Sequence, residues 1–366
     1  MTLANMDLFR QSTIKHPHLE KALNDLRLRV RQAESGTILF LYGPSGVGKT
    51  TLLKYIVAQM AKEDVESGTT TPGCFPAAYV EAPAPETGKF SWKEFYRRML
   101  YDLWEPVPHK KLPDIPWRNQ FLLNSNAPAH ALRKAVENAL EHRKVKVLLI
   151  DEAQHIGKGN SGGGSLWDQF DYIKSIANLT KSVIVLGGTY QLLAFRNLSA
   201  QLSRRSIDVH FPRYRADEES DYKIFLSVIA SFEQRLPCPC TPRLLDQGEY
   251  LYTGSVGCVG ILKTWLNRAL EASVLAGNDS LTQRVLEESS YSYDQLETMT
   301  AELLDGEAII ARNTRPLTGL HARLGINELT EPIDVRSANS LTKTAQKRTL
   351  PGTRKPTRDA VGGGQP

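Results

Sequence analysis

The sequence predicts an α/β fold: a three-layer sandwich on a central parallel sheet, followed by a helical lid and a disordered C-terminal tail. Three observations carry this. Short apolar runs without polar alternation recur along the first two thirds of the chain, as in strands buried on both faces. Segments with helical spacing separate them. Between the first run and the first such helix lies Gly43 to Thr50, GPSGVGKT, which fits G-x-x-x-x-G-K-[ST] without a mismatch.

The elements follow in order. Leu19 to Gln32 places Leu19, Ala22, Leu23, Leu26 and Val30 on one helical face, and Thr37 to Tyr42 is an apolar strand. Thr51 to Lys62 returns to helical spacing, with Leu52, Leu53, Ile56, Val57 and Met60. Ala77 to Glu81 is a second strand, and a Pro- and Gly-rich loop, Ala82 to Lys89, leads to a helix over Trp92 to Trp104. The irregular stretch Pro106 to Pro128 reads as an inserted loop. A helix over His130 to His142 and a strand over Lys144 to Ile150 come next, and Gly157 to Gly164 cannot be regular structure. Leu166 to Asn178 is helical, Ser182 to Leu186 is a strand, Gln191 to Leu202 is helical, and Ser206 to Phe211 is a strand. From Ala216 the strand signals stop, and four helices are expected over Asp217 to Glu233, Pro242 to Tyr252, Gly257 to Leu275 and Thr282 to Tyr291. Beyond Gly306 the periodicity lapses and the chain reads as disordered. The expected division is therefore 1–32 as an N-terminal segment and helix, 33–214 as the nucleotide-binding α/β domain, 215–305 as the lid, and 306–366 as a flexible basic tail.

Composition narrows the class. At 366 residues and 41% apolar content the chain suits two or three globular domains. No window reaches the ~18 consecutive apolar residues of a membrane span, and the first ten residues lack a signal-peptide pattern. Cys74, Cys238, Cys240 and Cys258 are too irregular for a disulfide framework or a zinc site, so a reducing cytoplasm is expected. The net charge of +5 has an address: from Ser340 onward six basic residues (Lys343, Lys347, Arg348, Arg354, Lys355, Arg358) face Asp359 alone, leaving the preceding residues at zero. Binding of nucleic acid by the folded part would therefore need local patches.

The motifs point to phosphate chemistry. In Gly43, Pro44, Ser45, Gly46, Val47, Gly48, Lys49, Thr50 and Thr51 a Gly-rich turn offers backbone N–H groups to the β- and γ-phosphates of ATP. Lys49 adds a cation, and the Thr50 hydroxyl a ligand for Mg²⁺. The strand ending at Ile150 closes on Asp151, suited to the Mg²⁺ shell, and Glu152, suited to polarising the attacking water; the alternative is a pair of helix-capping acids. Thr189 lies at the tip of the strand expected between these two, where additional-strand ATPases place a sensor for the γ-phosphate. Arg204 and Arg205 either reach a neighbouring subunit's nucleotide or pair within the chain with Asp208 or Asp217. Lids of this kind often open with a Gly followed by an Arg directed at the phosphates. Here Gly254, Ser255, Val256, Gly257 puts a glycine in that place, and Lys263 is the substitute candidate. Basic and aromatic residues gather at Lys89, Trp92, Lys93, Tyr96, Arg97 and Arg98, either a face for a phosphate backbone or a solvated helix face.

Together these features define an AAA+ ATPase, and the wording resembles the TnsC/TniB transposition regulators. It lies in Ile14 to Pro17, the Gly43 to Thr50 loop, Tyr79-Val-Glu-Ala-Pro, Ile150-Asp-Glu-Ala-Gln-His155, Gly187-Gly-Thr and Gln201-Leu-Ser-Arg-Arg205, across Thr13 to Asn278. The resemblance implies a protein that forms a ring or helical filament on double-stranded DNA with ATP, marks a target, and recruits and stimulates a transposase; some relatives work with CRISPR effectors through an adaptor. It carries over Lys49, Thr50, Asp151, Glu152, Thr189 and Arg205, places His16 and Pro17 near the base, and assigns DNA contacts to Lys89, Lys93 and Arg97. An alternative is an AAA+ protein-remodelling ATPase of a secretion or envelope system without DNA binding. A helicase ranks third, because too little patterned chain follows the acid strand to build a second lobe.

Overall fold

The computed structural model describes residues 3–85, 88–104, 128–158, 166–196, 206–313 and 324. Its centre is a five-stranded parallel sheet of β1 (Ile38–Tyr42), β2 (Ala77–Glu81), β3 (Val147–Asp151), β4 (Val183–Gly188) and β5 (Ser206–His210), in the order β2-β3-β4-β1-β5. With the Gly43 to Thr50 loop following β1, this is a P-loop α/β fold. Every residue of β1, β3 and β4 is buried, which is why their sequences are unbroken apolar runs. The register aligns the functional ends: Tyr42 pairs with Gly188, and Glu81 with Asp151. The chain segments after β1, β3 and β4 therefore leave the sheet at one edge, where open α/β sheets bind their ligands.

Helices α1 (Leu3–Gln11) and α2 (Pro17–Gln32) precede the sheet, and α3 (Lys49–Glu66) follows β1. α4 (Trp92–Trp104) and α5 (Ala129–His142) lie between β2 and β3, α6 (Leu166–Thr180) between β3 and β4, and the short α7 (Leu193–Arg196) after β4. Leu39, Leu41, Leu52, Leu53, Leu149, Val185 and Phe211 share one fully buried cluster, so α3 is held to the sheet through its leucines.

The lid comprises α8 (Glu219–Glu233), α9 (Gly248–Ser255), α10 (Val259–Leu275), α11 (Gln283–Glu288) and α12 (Tyr293–Asn313). Its core surrounds Trp265, which is fully buried and donates its indole N–H to the Leu286 carbonyl at 2.9 Å. Met6 and Phe9 of α1 join this core, so the N-terminal helix belongs to the lid's packing.

Four features depart from the sequence reading. α1 has no counterpart among the expected elements. Two-residue strands β6 (Cys240–Thr241) and β7 (Leu281–Thr282) pair in parallel inside the lid, where the sequence shows no strand signal. Asp151 lies within its strand. α12 begins after Tyr291, where the last expected helix ends, and runs through Gly306, the expected start of the tail. Gly306 has the look of a breaker, yet it is buried against an aromatic ring: a Cβ there would lie 2.0 Å from Tyr190 Cδ2. Residues Met1–Ile309 form one compact unit; of the second, from Ile310 on, the described part is the last turn of α12 and Leu324. No helix among the described residues is long and apolar enough to cross a membrane. Residues 106–127 of the insert and residues 159–164 of the Gly-rich loop lie outside the described residues.

Candidate functional site

The P-loop takes the shape its glycines permit. Gly48 sits at φ 111°, a left-handed conformation unfavourable for any side chain, and as N-cap it turns the chain into α3 so that the helix's free N–H groups face the loop. Lys49 is buried, and its Nζ donates to the carbonyls of Gly43 (3.0 Å) and Pro44 (2.7 Å). Burial lowers its pKa to about 8, against the opposing pull of Glu152 and Asp151. The amine is thus parked on its own loop, within reach of the space where a phosphate would sit.

Asp151 organises the acid side. Its Oδ2 accepts from Thr50 Oγ1 at 2.6 Å and from Tyr79 OH at 3.0 Å, while Oδ1 accepts the backbone N–H of Glu152 at 2.9 Å. Burial and the neighbouring Asp151 carboxylate push the Tyr79 phenol well above its usual range, so it stays a donor. Thr50 and Asp151 present a hydroxyl and a carboxylate, the hard oxygen donors that suit Mg²⁺. Among the described residues no cluster of three or more His, Cys, Asp or Glu forms a separate metal site.

Glu152 stands at φ 51°, ψ 31°, a left-handed conformation that costs a non-glycine residue of order 1 kcal/mol or more. Its carboxylate accepts from Gln154 Nε2 at 2.6 Å, and Gln154 Oε1 accepts the backbone N–H of Thr189 at 3.2 Å. Thr189 caps the short turn after β4. Thus Lys49, Thr50, Asp151, Glu152 and Thr189 converge at one sheet edge, and Gln154, missed in the sequence, joins the last two. Its signal was available only as the fourth letter of Asp-Glu-Ala-Gln, because its partner Thr189 lies 35 residues away.

The lid meets the loop directly. The Gly260 N–H, in the first turn of α10, donates to the Gly46 carbonyl at 2.7 Å. A pocket of about 240 Å³ opens beside it, floored by Pro44, Ser45 and Thr189 and walled by Cys258 and the α12 residues Met299 and Gly306. Glu307 of α12 is tied to Arg213 Nε at 3.0 Å. Lys263 does not reach this space; its Nζ donates to the carbonyls of Arg10 and Ser12, which corrects its reading as a substitute sensor. A lysine one turn into α10 faces α1 rather than the P-loop, where Gly260 takes the contact.

His16 and Pro17 open α2. His16 Nδ1 accepts the Leu19 N–H as N-cap and lies 2.8 Å from Tyr214 OH, and Pro17 occupies the first helical turn. Burial, reinforced by His18, lowers the His16 pKa to about 4; His210, 3.1 Å from Tyr190 OH, is lowered to about 4, also chiefly by burial. Both fall below the unfolded value near 6.5, so the unfolded state binds protons first on acidification. Stability should be insensitive to these groups above pH ~6.5 and fall between pH ~6.5 and ~4 by about 1.4 kcal/mol per unit for each. Urea unfolding at pH 7.5 and 5.5 checks this: the expected loss is roughly 2–3 kcal/mol, and equal midpoints would refute the buried neutral state.

Lys89 is exposed at the entrance to α4, with Lys93 and Arg97 half-buried one turn apart on it. Arg97 and Arg98 line an open pocket that also holds Glu81, Glu94 and Asp102, and Arg98 pairs with Glu94 at 3.4 Å. The corner is therefore mixed in charge. Arg204 and Arg205 lie outside the described residues.

Residues 30–195 match the family model of the AAA domain. An uncharacterized ATP-binding protein of Pyrococcus abyssi is 26% identical over 173 residues, 42% of this chain and 47% of that protein, so the match spans about half of the relative's length. Among solved structures, the Aeropyrum pernix ORC2 protein in its ADPNP–ADP complexes is similar at TM-score 0.48 and 16% identity, covering 78% of this chain and 72% of its own. The Walker-type ATPase of Pyrococcus abyssi gives 0.45 and 14%, covering 88% and 87%. The Thermotoga maritima RuvB branch-migration motor gives 0.39 and 16%, covering 88% and 86%.

Proposed function

We propose, with the AAA domain as premise, that this chain hydrolyses ATP and uses the nucleotide to assemble on double-stranded DNA as a regulator of transposition. The observation that carries the chemistry is the convergence of Lys49, Thr50, Asp151, Glu152 and Thr189 at the ends of β1, β3 and β4. The triphosphate lies on the N–H groups of the loop and the start of α3, and Lys49 exchanges its two carbonyl partners for phosphate oxygens. Thr50 and Asp151 are the residues that would hold Mg²⁺, which supplies charge neutralisation on the β- and γ-phosphates. Glu152 accepts the proton of the water that attacks the γ-phosphorus, the bond to the β-γ bridging oxygen breaks, and ADP leaves. Thr189 stands where the departing γ-phosphate would be sensed.

The DNA and transposase part rests on the motif wording shared with TnsC/TniB regulators, with Lys89, Lys93 and Arg97 as DNA contacts, Arg205 acting on a neighbouring subunit, and a transposase and targeting adaptor as partners. ATP bound between subunits would favour the assembled state, and hydrolysis would release it. One observation favours the second reading, a protein-remodelling ATPase that ignores DNA: the acids Glu81, Glu94 and Asp102 beside Arg97 weaken any phosphate-binding field at that corner. Electron microscopy with duplex DNA and a slowly hydrolysed ATP analogue separates the two. Nucleotide-dependent rings or filaments on DNA, absent from Lys49→Ala, are expected; assembly indifferent to DNA would reject the transposition reading in favour of remodelling.

A further inference from the structure

We infer that Gln154 is a positioning residue, which fixes the carboxylate of Glu152 and links it to the sensor end of β4; this inference rests on the ATPase reading above. Three observations meet at this one amide. Its Nε2 donates to Glu152 Oε2 at 2.6 Å, and its Oε1 accepts the Thr189 N–H at 3.2 Å, so both ends of the side chain are committed, one to the proton acceptor and one to the backbone beside the γ-phosphate position. Gln154 is 7% exposed, so water competes poorly for either bond. The backbone behind it is shaped to it: a Cβ on Gly188 would lie 2.2 Å from Gln154 Oε1, so the glycine before Thr189 makes room for this side chain.

The chemistry needs such a part. Glu152 lies outside the regular strand, in the left-handed conformation, and Asp151 Oδ1 fixes only its backbone N–H. Nothing in the Asp151 network reaches the Glu152 carboxylate. Gln154 supplies that restraint, and because an amide is neutral it orients the carboxylate without cancelling the charge that makes it a base. A lysine or arginine there would hold the carboxylate more tightly and lower its basicity. The link to Thr189 has a second consequence. A shift of the β4 tip on contact with the γ-phosphate would be passed through one rigid amide to the carboxylate, two hydrogen bonds away.

The test is a double-mutant cycle on the full chain. The readouts are kcat and KM for Mg–ATP, the Kd of a fluorescent ATP analogue, and the thermal midpoint. In the wild-type background Gln154→Ala should lower kcat about 10- to 100-fold, the scale of a misplaced reacting group, and leave the Kd within about twofold. In the Glu152→Gln background the same change should cost less than about twofold, because a group acting through Glu152 has nothing left to orient. Gln154→Met keeps the approximate volume but loses both the donor to Glu152 and the acceptor for Thr189, and adds no charge. It should match the alanine variant in kcat with the thermal midpoint close to that of the wild type, and it serves if the alanine variant does not fold. An unchanged kcat in Gln154→Met, or an equal loss of kcat with and without Glu152, would overturn the proposal and leave the ATPase reading standing. Absence of turnover in the wild-type chain would remove both.

Discussion

Lys49→Ala is expected to weaken ATP binding by roughly 10- to 100-fold, the ~1.5–3 kcal/mol of a hydrogen bond to a charged group. The reason lies in the resting geometry. The Lys49 amine is buried and held by the Gly43 and Pro44 carbonyls, so it has been desolvated before any ligand arrives. Exchanging neutral carbonyls for anionic phosphate oxygens improves its interactions without a further loss of water. Burial also brings its pKa down to about 8, and an approaching triphosphate would raise it again, so binding above pH 8 takes up a proton and weakens as pH rises. Titration with a fluorescent ATP analogue checks the affinity. An affinity equal to that of the wild type would mean that the phosphates lie elsewhere.

Glu152→Gln should separate binding from turnover. General bases contribute roughly 10²- to 10⁴-fold, and a loss of that size in kcat is expected with KM changed by no more than a few-fold. The substitution is nearly isosteric. Its amide oxygen can still accept from Gln154, and its backbone N–H can still donate to Asp151, so the left-handed turn has its supports. Comparable loss of nucleotide affinity would show instead that Glu152 holds the site together. If Glu152 is the base and hydrolysis releases a DNA-bound assembly, as proposed above, the assembly of this variant should persist in ATP because that step is blocked.

The parts of this fold legible in the sequence are those whose physics is local. Strands buried on both faces show as apolar runs, and β1, β3 and β4 can be found that way. Lys49, Thr50, Asp151 and Glu152 are legible because each belongs to a contiguous motif with one backbone solution. What escapes depends on partners distant in sequence. Among its described side chains α1 offers Met6 and Phe9 to the core, too few to display a period, and these pack into the lid. β6 and β7 are two residues each, below the length at which alternation can be seen. α12 lies wholly past the last helix expected from the sequence, and it continues through Gly306, whose missing side chain accommodates Tyr190 rather than ending the helix. Gln154 and Tyr79 join the site only once Thr189 and Asp151 are placed beside them.

Whether this chain is a nucleotide-driven ATPase is decided by phosphate release from Mg–ATP, measured for the wild type beside Lys49→Ala and Glu152→Gln, with and without duplex DNA. Turnover is expected in the wild type and should be faster on DNA. The lysine variant should lose binding, and the glutamate variant should bind without turning over. Turnover that survives in Glu152→Gln, or a wild-type chain that binds no nucleotide, would contradict the mechanism.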